Sequence, residues 1–200
     1  SEKANEDLKA FTRIMIDEYI RVAATAYKKT DKNHLNLGMR WAWIASDDFY
    51  AGCKYSDVFS INCYQVSPDV KMCNTIYEKT GMPLMIGEFQ IGALDVGLPA
   101  NGLQAVTNQE ERGKFYNYYM ENGAKIPQLI GAHYFQWSDQ PALGRFDGEN
   151  LNIGLVDVCN TPYESFVSYA KISNARLSAI HAGEIDPTEV KGESAPKEGF

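Results

Sequence analysis

The sequence predicts an α/β protein whose parallel sheet is covered by helices, on three observations. Helical and strand-like segments alternate along the chain. The strand-like ones are near-continuous apolar runs such as Pro83 to Ile86, and each ends in large polar or aromatic side chains. A strand covered on both faces has no reason to alternate polar with apolar. In parallel α/β folds the C-terminal strand ends and the loops after them form the ligand site, so four strand ends converge on one candidate pocket.

Ala4 to Lys29 opens the chain with apolar residues at Leu8, Phe11, Ile14, Met15, Tyr19, Val22, Ala23 and Ala26, the three-to-four spacing of an amphipathic helix. Asp31-Lys32-Asn33 is a turn cluster, after which His34 to Trp41 reads as a short strand. Val58 to Tyr64 makes a second strand. After Pro68, Val70 to Lys79 is helical by pattern and stops at Gly81, a residue suited to the left-handed backbone that ends helices. Pro83 to Phe89 is the third strand. A glycine-rich loop, Ile91 to Ala105, leads into a helix from Asn108 to Glu121, ended by Gly123 and Pro127. Leu129 to Trp137 is the fourth strand. The loop from Ser138 to Pro162 is too long for a mere connection, which marks it as functional. A last helix runs from Pro162 to Ile180, and His181 to Phe200 reads as a polar, aperiodic tail.

The chain has 200 residues, 44% hydrophobic and 22% charged, which is one domain's worth of ordinary globular composition. With 19 basic against 26 acidic residues the net charge is −7, so no nucleic-acid or anionic-membrane partner is expected. No apolar run approaches the roughly 18 to 20 residues that span a bilayer. The N-terminus, Ser1-Glu2-Lys3, starts without Met and lacks the basic-then-apolar pattern of a signal peptide. Cys53, Cys63, Cys73 and Cys159 form no C-x-x-C pair and read as thiols rather than disulfides, and His34, His133 and His181 are scattered. No metal site and no cofactor are predicted.

Glu88 follows an apolar run and a glycine, so its carboxylate sits at the mouth of a buried strand, where a charge costs several kcal/mol unless it is paired. A structural ion pair with Arg40 or Arg145 would meet that cost, but such strand ends are also where catalytic side chains cluster. Trp41, Trp43, Tyr64, Tyr134 and Trp137 supply flat apolar faces near the same end, suited to stacking on a pyranose ring. The acids and amides of Ser138 to Asn150 lack the regular alternation and closing glutamate of a calcium loop.

Three stretches together carry a family resemblance: Pro83-Leu84-Met85-Ile86-Gly87-Glu88-Phe89-Gln90-Ile91-Gly92-Ala93 with Asn108-Gln109-Glu110-Glu111-Arg112; Gly131-Ala132-His133-Tyr134-Phe135-Gln136-Trp137-Ser138-Asp139-Gln140-Pro141; and Gly144-Arg145-Phe146-Asp147-Gly148-Glu149-Asn150. From about residue 5 to about residue 180 the chain resembles the C-terminal half of a β-agarase, a retaining glycoside hydrolase with a (β/α)8 barrel, with β-galactosidase-like barrels as more distant relatives. The resemblance implies a TIM-barrel-type half barrel: strands five to eight with their helices over 1–180, followed by a polar tail over 181–200. It makes Glu88 the catalytic nucleophile at the end of barrel strand seven. It places His133, Trp137, Asp139 and Gln140 at sugar-site positions, with Trp41, Arg145 and Glu149 alongside as substrate-binding residues, and Arg40 and Tyr64 at positions that support the nucleophile. The implied substrate is a galactose-containing oligo- or polysaccharide cleaved at β-galactosidic bonds, and a secreted or periplasmic setting is expected from the family.

The family's acid/base is a glutamate, usually in Asn-Glu, at the end of barrel strand four. Here Asn5-Glu6 lies in the opening helix and Glu149-Asn150 has the reverse order. The expectation is a chain that carries the nucleophile without its acid/base. The barrel would be completed by a two-fold homodimer or by an N-terminal half outside this sequence; the other outcome is an inactive carbohydrate-binding or structural fragment.

Overall fold

The computed structural model describes residues 1–195; the last part of the polar tail, 196–200, lies outside the described residues. Ten elements follow one another: α1 (Glu2–Thr30), β1 (Arg40–Trp41), two 3₁₀ turns (Asp47–Tyr50 and Cys53–Tyr55), β2 (Phe59–Ile61), α2 (Val70–Thr80), β3 (Leu84–Phe89), α3 (Gln109–Ala124), β4 (Leu129–Tyr134) and α4 (Glu164–His181). The strands form a four-stranded sheet in the order β1-β2-β3-β4, every pair parallel, as the apolar runs predict. Helix starts follow the local chemistry. The Asp69 carboxylate accepts from the Met72 amide at the head of α2, and the Asn108 side chain accepts from the Glu110 and Glu111 amides at the head of α3. Gly81 ends α2 at φ 67°, the left-handed conformation expected of it.

One face of the sheet is packed against α2, α3 and α4. Ile61 and Ile86, paired in register, are buried there, and Phe89 stacks on Tyr119 at 4.0 Å between ring centroids. Tyr134 meets Phe89 edge-on and Tyr116 lies tilted against it, and Phe166 packs in turn on Tyr116 and Tyr134. Gly113 is where α3 meets α4: a Cβ there would lie 2.5 Å from the Tyr169 ring, so only glycine permits this approach. Arg112 is wholly buried and acts as a hub, donating to the Ile91 and Gly154 carbonyls, Gln109 and the Tyr134 hydroxyl while its guanidinium lies 4.5 Å from the Phe166 ring centre.

One expectation is corrected. The strand read over His34 to Trp41 contracts to its last two residues, because β2 is only three residues long and offers no ladder further back. The segment before it is held by Asp57, whose carboxylate accepts from the Asn36 amide and whose amide donates to the Asn36 carbonyl, and by the Ser60 hydroxyl on the Leu37 carbonyl. The open sheet face, away from these helices, carries the register row Arg40, Ser60, Met85 and Gly131. Helix α1 buries Ile20 and Ala24 while Leu8, Phe11, Ile14, Met15, Tyr19 and Val22 are each more than half exposed.

After α4 the chain runs back along α3. The Thr188 amide donates to Glu121, the Glu193 amide to Glu111, and Ser194 bridges Val106. Among the described residues no helix is long and apolar enough to cross a membrane, and no group of three or more His, Cys, Asp or Glu is arranged to hold a metal.

Candidate functional site

Glu88 stands near the C-terminal end of β3, where the ladder to β4 shifts register between Ile86 and Phe89. Such an irregularity re-aims a side chain. Here Phe89 goes to the buried aromatic cluster, while Glu88 meets groups from β1 and the end of β2. Its side chain is 15% exposed. Oε2 accepts from Asn62 Nδ2 at 2.7 Å and from the Tyr64 hydroxyl at 2.6 Å, and Oε1 is paired with the Arg40 guanidinium. Three donors on one largely buried carboxylate offset the cost of its desolvation.

Backbone pairing sets these donors in place. The Asn62 amide donates to the Trp41 carbonyl and the Cys63 amide to the Glu88 carbonyl, so the residues after β2 continue the ladder between β1 and β3. Asn62 and Tyr64 are two residues apart and share a face, the period of an extended chain. Gln104 donates to the Tyr64 carbonyl at 2.5 Å, and burial pushes the Tyr64 phenol above its ordinary value, so it stays protonated as a donor. Gly87 gives Arg40 its path: a Cβ there would lie 2.4 Å from Arg40 Cγ, blocking the side chain where it crosses β3.

The long loop after β4 is ordered by its own contacts. Arg145 pairs with Asp147 at 2.5 Å and Glu149 at 2.8 Å, and Gln140 donates to Glu149 at 2.9 Å. The Arg145 guanidinium lies 6.0 Å from the Phe135 ring centre, which sets the loop beside the C-terminal end of β4. His133 and Trp137 are exposed along and just past β4.

Two residues expected to face sugar are placed differently. Trp41 shares its register row with Ile61 and packs edge-on to Phe49 at 5.0 Å, on the core side; the exposed tryptophan of that segment is Trp43. Asp139 is buried, its carboxylate taken by Asn152, the Gly154 amide and the Tyr163 hydroxyl, which makes it a fastener inside the loop. Gln140 is buried too and divides between Glu149 and the Leu151 amide. Asn62 was missed by the sequence reading, although its place two residues before Tyr64 on a strand end is the signal that would have found it.

No protein-family model matches the chain. It is 34% identical over 177 residues to β-agarase B of Vibrio sp. strain JT0107, a match covering 87% of this chain and 18% of that protein. It is 36% identical over 189 residues to β-agarase A of the same strain, covering 84% of this chain and 19% of that protein. The chain spans about a fifth of the length of each. The structure of an exo-β-agarase matches with a TM-score of 0.83 at 36% identity, over 92% of this chain and 25% of the other.

Proposed function

We propose, from the premise that this chain is homologous to a portion of the β-agarases, that it is the nucleophile-bearing part of a retaining glycoside hydrolase acting on galactose-containing polysaccharide. The observation that carries this reading is Glu88 itself: a largely buried carboxylate at the end of a parallel strand, contacted by Asn62, Tyr64 and Arg40.

The retaining reaction needs a carboxylate that attacks the anomeric carbon and a second carboxyl group, about 5 to 5.5 Å away, that protonates the leaving oxygen and then activates water. Glu88 fills the first role. By the family resemblance the second stands at the end of barrel strand four, ahead of α1 in this reading. General acid–base assistance is typically worth about a hundred to ten thousandfold in rate, so the chain alone turns over unactivated glycosides poorly. Arg145, Glu149, His133 and Trp137 line the sugar side of this reading, with Arg40 and Tyr64 supporting the nucleophile.

Four parallel strands with free edges at β1 and β4 are half of an eight-stranded (β/α)8 barrel in this reading. Two-fold closure would pair β4 with a partner's β1. It would also bring α4, which follows β4, and the partner's α1, which leads into β1, to one seam. A half barrel supplied by other chain before α1 avoids that crowding and is the completion we favour. The runner-up reading is a sugar-binding fragment with no chemistry of its own.

The test is intact mass after exposure to 2,4-dinitrophenyl 2-deoxy-2-fluoro-β-galactoside, whose leaving group needs no proton. One covalent sugar per chain, absent in Glu88→Gln, is the expected result. Sugar binding that survives Glu88→Gln, with no adduct in the unsubstituted chain, would leave the fragment reading standing and end the nucleophile reading.

A further inference from the structure

The two oxygens of Glu88 are not equivalent. Both neutral donors, Asn62 Nδ2 and the Tyr64 hydroxyl, converge on Oε2, whereas Oε1 is met by the charged Arg40, whose side chain is 52% exposed against 15% for Glu88. Asn62 carries a second peculiarity. Its Oδ1 is buried and has no hydrogen-bond partner among the described residues. The large majority of buried side-chain polar atoms find a partner. This amide pairs only at the end that touches Glu88, and turning it over would set an acceptor against a carboxylate.

We infer that Asn62 is a positioning residue which, with Tyr64, holds Oε2 of Glu88 as the non-attacking oxygen and leaves Oε1 to form the bond to sugar. This rests on the reading of Glu88 as nucleophile. In the step, a lone pair of Oε1 forms the bond to the anomeric carbon, the bond from that carbon to the aglycone oxygen breaks, and its electron pair leaves on dinitrophenolate. Oε2 becomes the ester carbonyl. Neutral donors suit that oxygen, because it goes on accepting hydrogen bonds after its charge has left, while the Arg40 pair to Oε1 has to be surrendered as the new bond forms. Asn62 also fixes the rotation of the carboxylate, so that Oε1 faces the sugar rather than the strand.

The experiment follows adduct formation by the same fluoro-galactoside, as a rate against pH, in the unsubstituted chain, Asn62→Ala and Asn62→Asp, with Tm recorded for each. Asn62→Ala removes the unpaired oxygen with the amide, so Tm should hold or rise while labelling slows by about 10- to 100-fold. Asn62→Asp keeps the shape and sets a second carboxyl against Oε2. The pair then shares a proton, and the acid limb of the labelling profile should move to higher pH. A merely structural asparagine would lower Tm in Asn62→Ala and leave the labelling rate of that variant at its original value. Labelling of Asn62→Ala at the original rate, with the original pH profile, overturns the inference while leaving the nucleophile reading intact. No adduct in the unsubstituted chain overturns both.

Discussion

Gly87 and Glu88 are neighbours with opposite requirements. One must have no side chain so that Arg40 can cross the strand, and the other must keep a charge where burial opposes it. Gly87→Ala should therefore fold and label faster with the fluoro-galactoside at neutral pH, because its Cβ displaces Arg40 from Oε1 and that pair no longer has to be surrendered. Labelling at the unsubstituted rate would show that Arg40 does not need this path. Tyr64→Phe removes one of two donors to Oε2 and should slow labelling by roughly 10-fold or more, as expected for a hydrogen bond to a charged acceptor. The thiols separate by the same logic of burial. All four cysteines are free, Cys159 is exposed, and burial pushes Cys73 up to about 12. A thiol reagent applied to the folded chain near neutral pH should modify Cys159 first and spare Cys73 until unfolding, which peptide mapping reads directly.

Among the elements, α3 holds the most together. Arg112 on it serves the loop after β3, the loop after β4 and the end of β4 itself, with no carboxylate among the partners described. Arg112→Met leaves the Ile91 and Gly154 carbonyls without that donor in a dry site and should cost about 3 kcal/mol in denaturant unfolding. A cost under about 1 kcal/mol would mean that the hub is dispensable. The same helix anchors the segment after α4 through Glu111. Lys114 and the Glu193 amide hold the Glu111 carboxyl below its ordinary value. A lowered folded-state pKa stabilises the docked segment above the usual glutamate range, and that contribution disappears as pH falls through the folded value. Hydrogen exchange at the Glu193 amide should accordingly lose protection on acidification below about pH 4 while the α3 amides keep theirs. Protection that persists undiminished would show that the contact is not electrostatic. On α1 the sequence shows a long apolar period but not its neighbour, and the structure turns most of that stripe away from the chain's own core.

At the scale of the whole molecule, the proposed half-barrel reading predicts a chain that binds galactose-containing polymer better than it cleaves it. On that reading, incubation with agarose releases no more than trace oligosaccharide, and adding the proposed other half of the barrel in trans raises release by about a hundredfold or more if that part supplies the acid. No gain from added barrel, with Glu88 still labelled, would place the missing carboxyl elsewhere. The sequence by itself determined the helices, the parallel sheet and the prominence of Glu88. Each of these depends on local propensity or on the period of apolar residues, and a strand-end carboxylate after an apolar run is visible in one dimension. The tertiary structure alone decided that Asn62 joins Tyr64 on Oε2, that Trp41 goes to the core and Asp139 into the loop, and that Arg40 and Ser60 share the open sheet face. Those outcomes depend on register and on a shift between β3 and β4, and a one-residue change in register sends a side chain to the other face of the sheet.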